Sequence, residues 1–159
     1  MRRLCIWLAD RARSHFSIRP GDKPYIERYI LGWPFGVGIF LHQYLAADGD
    51  RHLHNHPWTW SIGIPLVGGY TEERLTHLCP IHGPRVTLRK IWRFRPNLIT
   101  GSTFHRIDHV KHGTWTLFIH GKRIGGWGFL QWQGTAAVFE QTDPDILRYT
   151  LRKLETSDG

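Results

Sequence analysis

Residues 52–64 read HLHNHPWTWSIGI, and the reading of this stretch decides the fold. Histidine stands at 52, 54 and 56, proline at 57, and tryptophan at 58 and 60. In an extended chain successive side chains point to opposite faces, so residues two apart share a face. His54 and His56 therefore share one. If the strand continues past Pro57, Trp58, Trp60, Ile62 and Ile64 join them, leaving Asn55, Thr59, Ser61 and Gly63 on the other face. The apolar face is expected to turn inward, which places two imidazoles at the mouth of a β-barrel against a wall of Trp58 and Trp60. Two neighbouring inward imidazoles can grip one metal ion through ring nitrogens, with a third ligand from elsewhere in the chain. The competing reading is a polar rim packed on tryptophan. His52 has the same parity but follows Gly49 in a loop, so it is a possible ligand but is read first as exposed or as a support behind the ligands.

Outward from this stretch the chain keeps a strand rhythm. PYIERYIL (24–31), VGIFLHQYL (37–45), WTWSIGI (58–64), GGYTEERLT (68–76), RVTLRKIWRF (85–94), FHRIDHV (104–110), TWTLFIHG (114–121), GGWGFLQW (125–132) and TAAVFE (135–140) are short segments separated by Gly- and Pro-bearing turns. Such spacing argues an all-β barrel or sandwich. Residues 1–17 lack Gly and Pro, and Leu4, Trp7, Leu8 and Arg11 fall at helical spacing, which predicts an N-terminal helix. At the other end Asp143 can cap a helix over 143–155, with Pro144 at its first position. The expectation is one domain over 1–159, with a barrel core at 24–140 and a helix at each end.

The 159 residues are enough for one sizeable core. Lys+Arg 21 against Asp+Glu 13 gives +8, but the charge is scattered rather than gathered into a tail, so a solvated basic surface is preferred over a nucleic-acid role. Cys5 and Cys79 make no disulfide framework. No apolar run is long enough for a signal core or a membrane span, so a cytoplasmic protein is expected, of a cell or of an infected host cell. There is no phosphate-cradling glycine loop, no Cys-x-x-Cys and no serine elbow. Glu72 and Glu73 are adjacent on a strand, so they face apart and cannot share a substrate.

Taken together, an early inward His-x-His, a later single histidine and an all-β plan resemble the cupin superfamily. Its first motif is a glycine, His-x-His, a glutamate three or four residues on, and a glycine; its second carries the last histidine. Here HNHPWTWSIGIPLVGG (54–69), closing on Gly68 or Gly69, stands for the first and GSTFHRIDHV (101–110) for the second. The chain is also similar to small phage and bacterial cupin-like proteins with a run like LHxHPW, a later HR and a later WTLFIxG followed by WGF; here these are LHNHPW (53–58), HR (105–106) and WTLFIHGKRIGGWGF (115–129). The resemblance covers most of 24–140 and implies a jelly-roll barrel whose metal ligands are His54, His56 and His105, with His109 the second choice for the third. The usual glutamate would fall at Trp60 or Ser61, so the implied set has three histidines and no carboxylate. Fe(II) with open positions would serve an oxygenase acting on a small molecule. Zn(II), Ni(II) or Mn(II) are the other metals such a site takes, and a non-catalytic metal- or ligand-binding barrel is the alternative function.

Parity names further pocket candidates. His42 lies mid-strand with Phe40 and Tyr44 on its face, and His42 and Tyr44 are expected to line the pocket. On 85–94, Val86, Leu88, Lys90, Trp92 and Phe94 are expected inward, with Lys90 available to an anionic substrate group, while Arg89, Arg93 and Arg95 form an outward row. Arg106 is expected at the site, ion-paired with Asp50 or Asp108. The apolar faces of the terminal helices permit a homodimer.

Overall fold

The computed structural model describes residues 1–18, 24–47, 52–79, 82–133 and 136–142. The helix expected at the C-terminus and Asp50 lie outside the described residues. The chain opens with helix α1 (Arg2–Ala9). Strands follow: β1 (Ser14–Ile18), β2 (Ile26–Gly32), β3 (Gly38–Tyr44), β4 (Leu53–His54), β5 (Trp60–Val67) and β6 (Gly69–Cys79). The second half holds β7 (Gly83–Trp92), β8 (Asn97–Thr100), β9 (His105–Val110), β10 (Trp115–His120), β11 (Trp127–Gln133) and β12 (Ala136–Thr142).

The strands form two antiparallel six-stranded sheets, β1-β2-β3-β10-β5-β8 and β12-β11-β4-β9-β6-β7. Consecutive segments cross repeatedly from one sheet to the other, as in a jelly roll. The all-β expectation holds. The helix expected over 1–17 is shorter, because Ser14–Ile18 pairs with β2 in full register from Ser14↔Ile30 to Ile18↔Ile26. The local 3.6-residue pattern ends at Arg11, whose guanidinium caps it by donating to the Trp7 carbonyl at 3.3 Å. Strands β1, β4 and β8 are too short to stand out as sequence segments.

Between the sheets, Tyr25, Ile26 and Tyr44 from the first meet Tyr70, Ile91 and Ile107 from the second. A second cluster lies outside the first sheet, where Cys5 of α1 packs on Leu41 and Trp115. The helix therefore covers a sheet face and leaves the barrel interior to the strands.

Gly68 carries the corner where the chain leaves the first sheet for the second. Its φ is +73°, and an added Cβ would lie 3.1 Å from the Thr114 Cα and closer still to Thr114 Oγ1. That hydroxyl is committed: it accepts from the Gly69 N–H at 3.1 Å and donates to the Lys111 carbonyl at 2.6 Å. Gly36 has a similar φ of +77° with nothing within 4 Å of the same position. Gly68→Ala is therefore expected to cost roughly 2–4 kcal/mol, combining left-handed strain with overpacking. Gly36→Ala should cost only about 1–2 kcal/mol for the strain alone. Chemical denaturation of both variants checks the difference, and equal costs would refute the packing argument.

Candidate metal centre

His54 ends β4 and is the register partner of His105 at the start of β9. Its other neighbour is Phe129 of β11. The next residue, Asn55, fixes the turn: its side-chain amide donates to the Gly101 carbonyl at 3.1 Å, and its side-chain oxygen accepts from the Gly128 N–H at 2.9 Å. Held by both ends, the backbone presents His54 and His56 to the same side of the clamp. Nitrogens of His54, His56 and His105 all lie within 4.8 Å of one another. The ring centroids are 5.4 Å (54–56), 4.9 Å (54–105) and 5.1 Å (56–105) apart.

Nε2 of His56 and Nε2 of His105 are 2.9 Å apart. Two imidazole nitrogens each ~2.1 Å from one divalent ion and about 90° apart would be ~3.0 Å from each other, so the spacing fits a shared ion. The charge state fits as well. Burial, then the neighbouring His105 and His54, holds the His56 pKa well below its ordinary value, so the ring is neutral. Neutral imidazole is the form that ligates.

Behind His105 stands Glu72. It is fully buried on β6, and its Oε2 is 3.1 Å from Nδ1 of His105. The carboxylate holds the proton on Nδ1 and leaves the Nε2 lone pair facing the other two rings. Glu72 also binds Arg74 at 2.7 Å, Arg89 at 3.2 Å and the Asn97 amide at 2.6 Å. Burial pushes its pKa up, but the hydrogen bond and charge of His105, with Arg74 and Asn97, outweigh that and hold it below the ordinary carboxylate value. Register explains the gathering: Glu72 faces Arg89 on one side, and Arg74, two residues on, faces His105 on the other. A glutamate thus serves this site from β6, twelve or so residues beyond where the sequence motif would put one. In sequence it reads only as one member of an acidic pair.

The three rings open onto a cavity of about 320 Å³. His42, Tyr44 and Trp58 line it, together with Arg28, Asn55, Gly63, Tyr70, Thr116 and Phe118. Trp58 stacks on His120 with centroids 3.6 Å apart.

Other candidates fall elsewhere. Trp60 and Ile62 are not on the cavity wall; Ser61, fully buried, and Gly63 turn inward instead. The chain changes sheets between β4 and β5, so the parity of the histidines does not carry across Pro57. Lys90 is exposed, and so are Val86, Leu88, Trp92 and Phe94. The inward face of β7 holds Arg89 and the 2%-exposed Ile91, the reverse of the expected parity. Arg106 pairs with Glu73 at 2.6 Å rather than with Asp108, and with His52 it lines a separate groove. His109 is exposed.

Two sheets closed over a histidine cluster at one mouth decide the architecture. The chain has a cupin fold. It aligns over 72% of its length with 57% of Fe(II)-HppE, solved with the alternative substrate (S)-1-HPP, at a TM-score of 0.52 and 12% identity. The chain thus spans little more than half of that protein. An oxalate decarboxylase, OxdC of Bacillus subtilis, aligns with 71% of this chain and 30% of its own at 13% identity and a TM-score of 0.49. KdgF from Halomonas sp. aligns with 70% of this chain and 88% of its own at 14% identity and a TM-score of 0.46. No family model matches the sequence, and no curated protein sequence matches it. At such identities the likeness is one of fold, and the cupin barrel's chemistry here rests on its own side chains. Among the described residues no helix is long and apolar enough to cross a membrane.

Proposed function

We propose that this cupin barrel binds one divalent metal ion through His54, His56 and His105, and that it is a mononuclear Fe(II)-dependent oxygenase acting on a small molecule. The observation that carries the reading is the convergence of three imidazoles with Glu72 behind the third. The Fe(II) named for HppE, a protein of the same fold, supports the choice of iron. Zn(II), Ni(II) and Mn(II) are alternatives within the same donor set.

A bound Fe(II) with three histidine ligands would supply open positions for oxygen and substrate. The chain supplies the rest. Glu72 keeps the His105 proton on Nδ1, and Arg74 and Arg89 hold the Glu72 carboxylate in place behind that ring. Phe118, Ile107 and Trp58 make the cavity wall apolar and exclude bulk water around a bound molecule.

Purified protein loaded anaerobically with Fe(II) is expected to hold one metal ion per chain by elemental analysis, and His54→Ala is expected to hold none. Substrate-dependent oxygen uptake by the loaded protein then separates an oxygenase from a binding module. A wild-type protein that stays metal-free under these conditions would end the reading.

A further inference from the structure

The cavity has a second polar row, on the sheet opposite Glu72. Arg28 of β2 is the register partner of His42 on β3, and His42 is the partner of Thr116 on β10. All three line the cavity. His42 is 3% and Thr116 1% exposed, so both are held in place by the barrel.

The hydrogen bonding of this row is one-sided. Arg28 Nε donates to His42 Nε2 at 2.9 Å, which leaves the ring proton on Nδ1. Among the described residues, neither His42 Nδ1 nor the Thr116 hydroxyl has a hydrogen-bond partner. Nor does any carboxylate among them pair with Arg28, whose other neighbours are the rings of Phe16 at 5.5 Å and Phe40 at 5.1 Å. Burial lowers the Arg28 pKa to about 10, partly offset by Tyr44 and Tyr25, so the guanidinium is still cationic at neutral pH. The row therefore presents a charged fork, an N–H and a hydroxyl that can turn to donate. A half-buried cation with no carboxylate beside it and two buried polar atoms without partners are costly unless a ligand supplies the acceptors.

We propose that Arg28, His42 and Thr116 form an anion-anchoring subsite, so that the molecule taken into the cavity carries an oxyanion group of the carboxylate or phosphate type. The planar guanidinium suits either, through two parallel hydrogen bonds. The row lies close to the histidine cluster: the His42 ring stacks on Phe118 at 5.0 Å, and Phe118 meets His56 at 5.8 Å. A small molecule anchored here extends its other end toward the three histidines. Only that last statement rests on the metal-centre reading. Lys90, the anion-binding candidate from sequence, is exposed on β7, and Arg28 takes its place.

Trp58 and Trp127 line the cavity and report occupancy by fluorescence. Metal-free, chelator-treated protein is titrated with benzoate, phenylphosphonate and neutral benzamide. At least one anion is expected to bind about 10- to 100-fold more tightly than benzamide, the scale of charge-assisted hydrogen bonds. The tighter anion identifies the group type. Arg28→Gln should erase the preference, Arg28→Lys should keep part of it, and the near-isosteric Thr116→Val should weaken the anion severalfold. Circular dichroism selects folded variants, and Thr116→Val keeps the test open if Arg28 variants fail to fold. Benzamide binding as tightly as both anions would overturn the proposal, as would an anion affinity unchanged in folded Arg28→Gln or, should those variants not fold, in Thr116→Val. Because the titration needs no metal, Arg28-dependent anion binding in a protein that takes up no metal would sink the metal reading alone. Stoichiometric metal with no Arg28 dependence would sink only this one.

Discussion

Glu72→Ala is expected to lose roughly 3–5 kcal/mol of folding stability, the cost of removing one partner from a buried ionic cluster. Glu72 is fully buried and is the only carboxylate among the described residues bonded to Arg74, Arg89 and His105. Its loss takes the carboxylate from the Arg74 guanidinium and the Asn97 amide, which keep the Asn97 side-chain oxygen and the Tyr70 hydroxyl as partners. Glu72→Gln keeps the shape and some of the hydrogen bonds, so it should cost less and remain folded. In that variant the amide no longer draws the His105 proton onto Nδ1, and metal affinity is expected to fall by about 10- to 100-fold. Denaturant unfolding of both variants and metal titration of the Gln variant check the two halves separately.

The same cluster sets a pH dependence for the metal-free protein. Glu72 has a folded-state pKa below its ordinary value, so its contribution is present above the ordinary carboxylate pKa and is lost as pH falls through the depressed one. His42 is held neutral, first by burial and then by Arg28, His56 and His120. A histidine with a depressed folded pKa is protonated first in the unfolded chain. Stability should therefore be full above the ordinary histidine pKa of about 6.5 and decline below it. Acid should act in two stages, histidine before glutamate, measurable as unfolding free energy against pH. A stability flat from neutrality to the carboxylate range would contradict the buried neutral His42.

Much of this was legible in the sequence, and the failures share a cause. Alternation and turn residues predict the all-β plan, and the HxH spacing brings His54 and His56 together. The rule that apolar faces turn inward then misorients two strands. On β5 the interior face holds Ser61 and Gly63 because the space opposite is occupied: a Cβ on Gly63 would come within 3.2 Å of the Tyr70 hydroxyl. On β7 the interior face holds Arg89 because its cross-strand partner is the buried Glu72. A barrel built around a cavity and a charged cluster inverts the hydropathy signal on the strands that surround them. Glu72 and Arg28 escaped notice for the same reason: nothing local marks a charged residue on a strand as buried, and only register brings their partners to them.

The choice between His105 and His109 shows register at its most decisive. His105→Ala is expected to weaken metal binding on the order of 100-fold or more, beyond the loss from a supporting residue, while His109→Ala should leave it within about twofold, as a surface substitution does. Simple alternation puts 105 and 109 on one face. In the structure Glu72 pairs with Ile107 but the adjacent Thr71 pairs with His109, so two steps on β9 match one on β6. Asp108 is the extra residue of a β-bulge, and a bulge reverses the parity beyond it. His105 and Ile107 consequently stay inside, at 4% exposure each, and His109 turns out to solvent. His105 alone of the two meets His54 in register, His56 across 2.9 Å and the Glu72 carboxylate. Metal stoichiometry and affinity of the two variants, measured side by side with unfolding free energies, separate ligand loss from misfolding. Retention of metal by His105→Ala together with its loss in His109→Ala would reverse the assignment, and would require the β9 bulge to be absent.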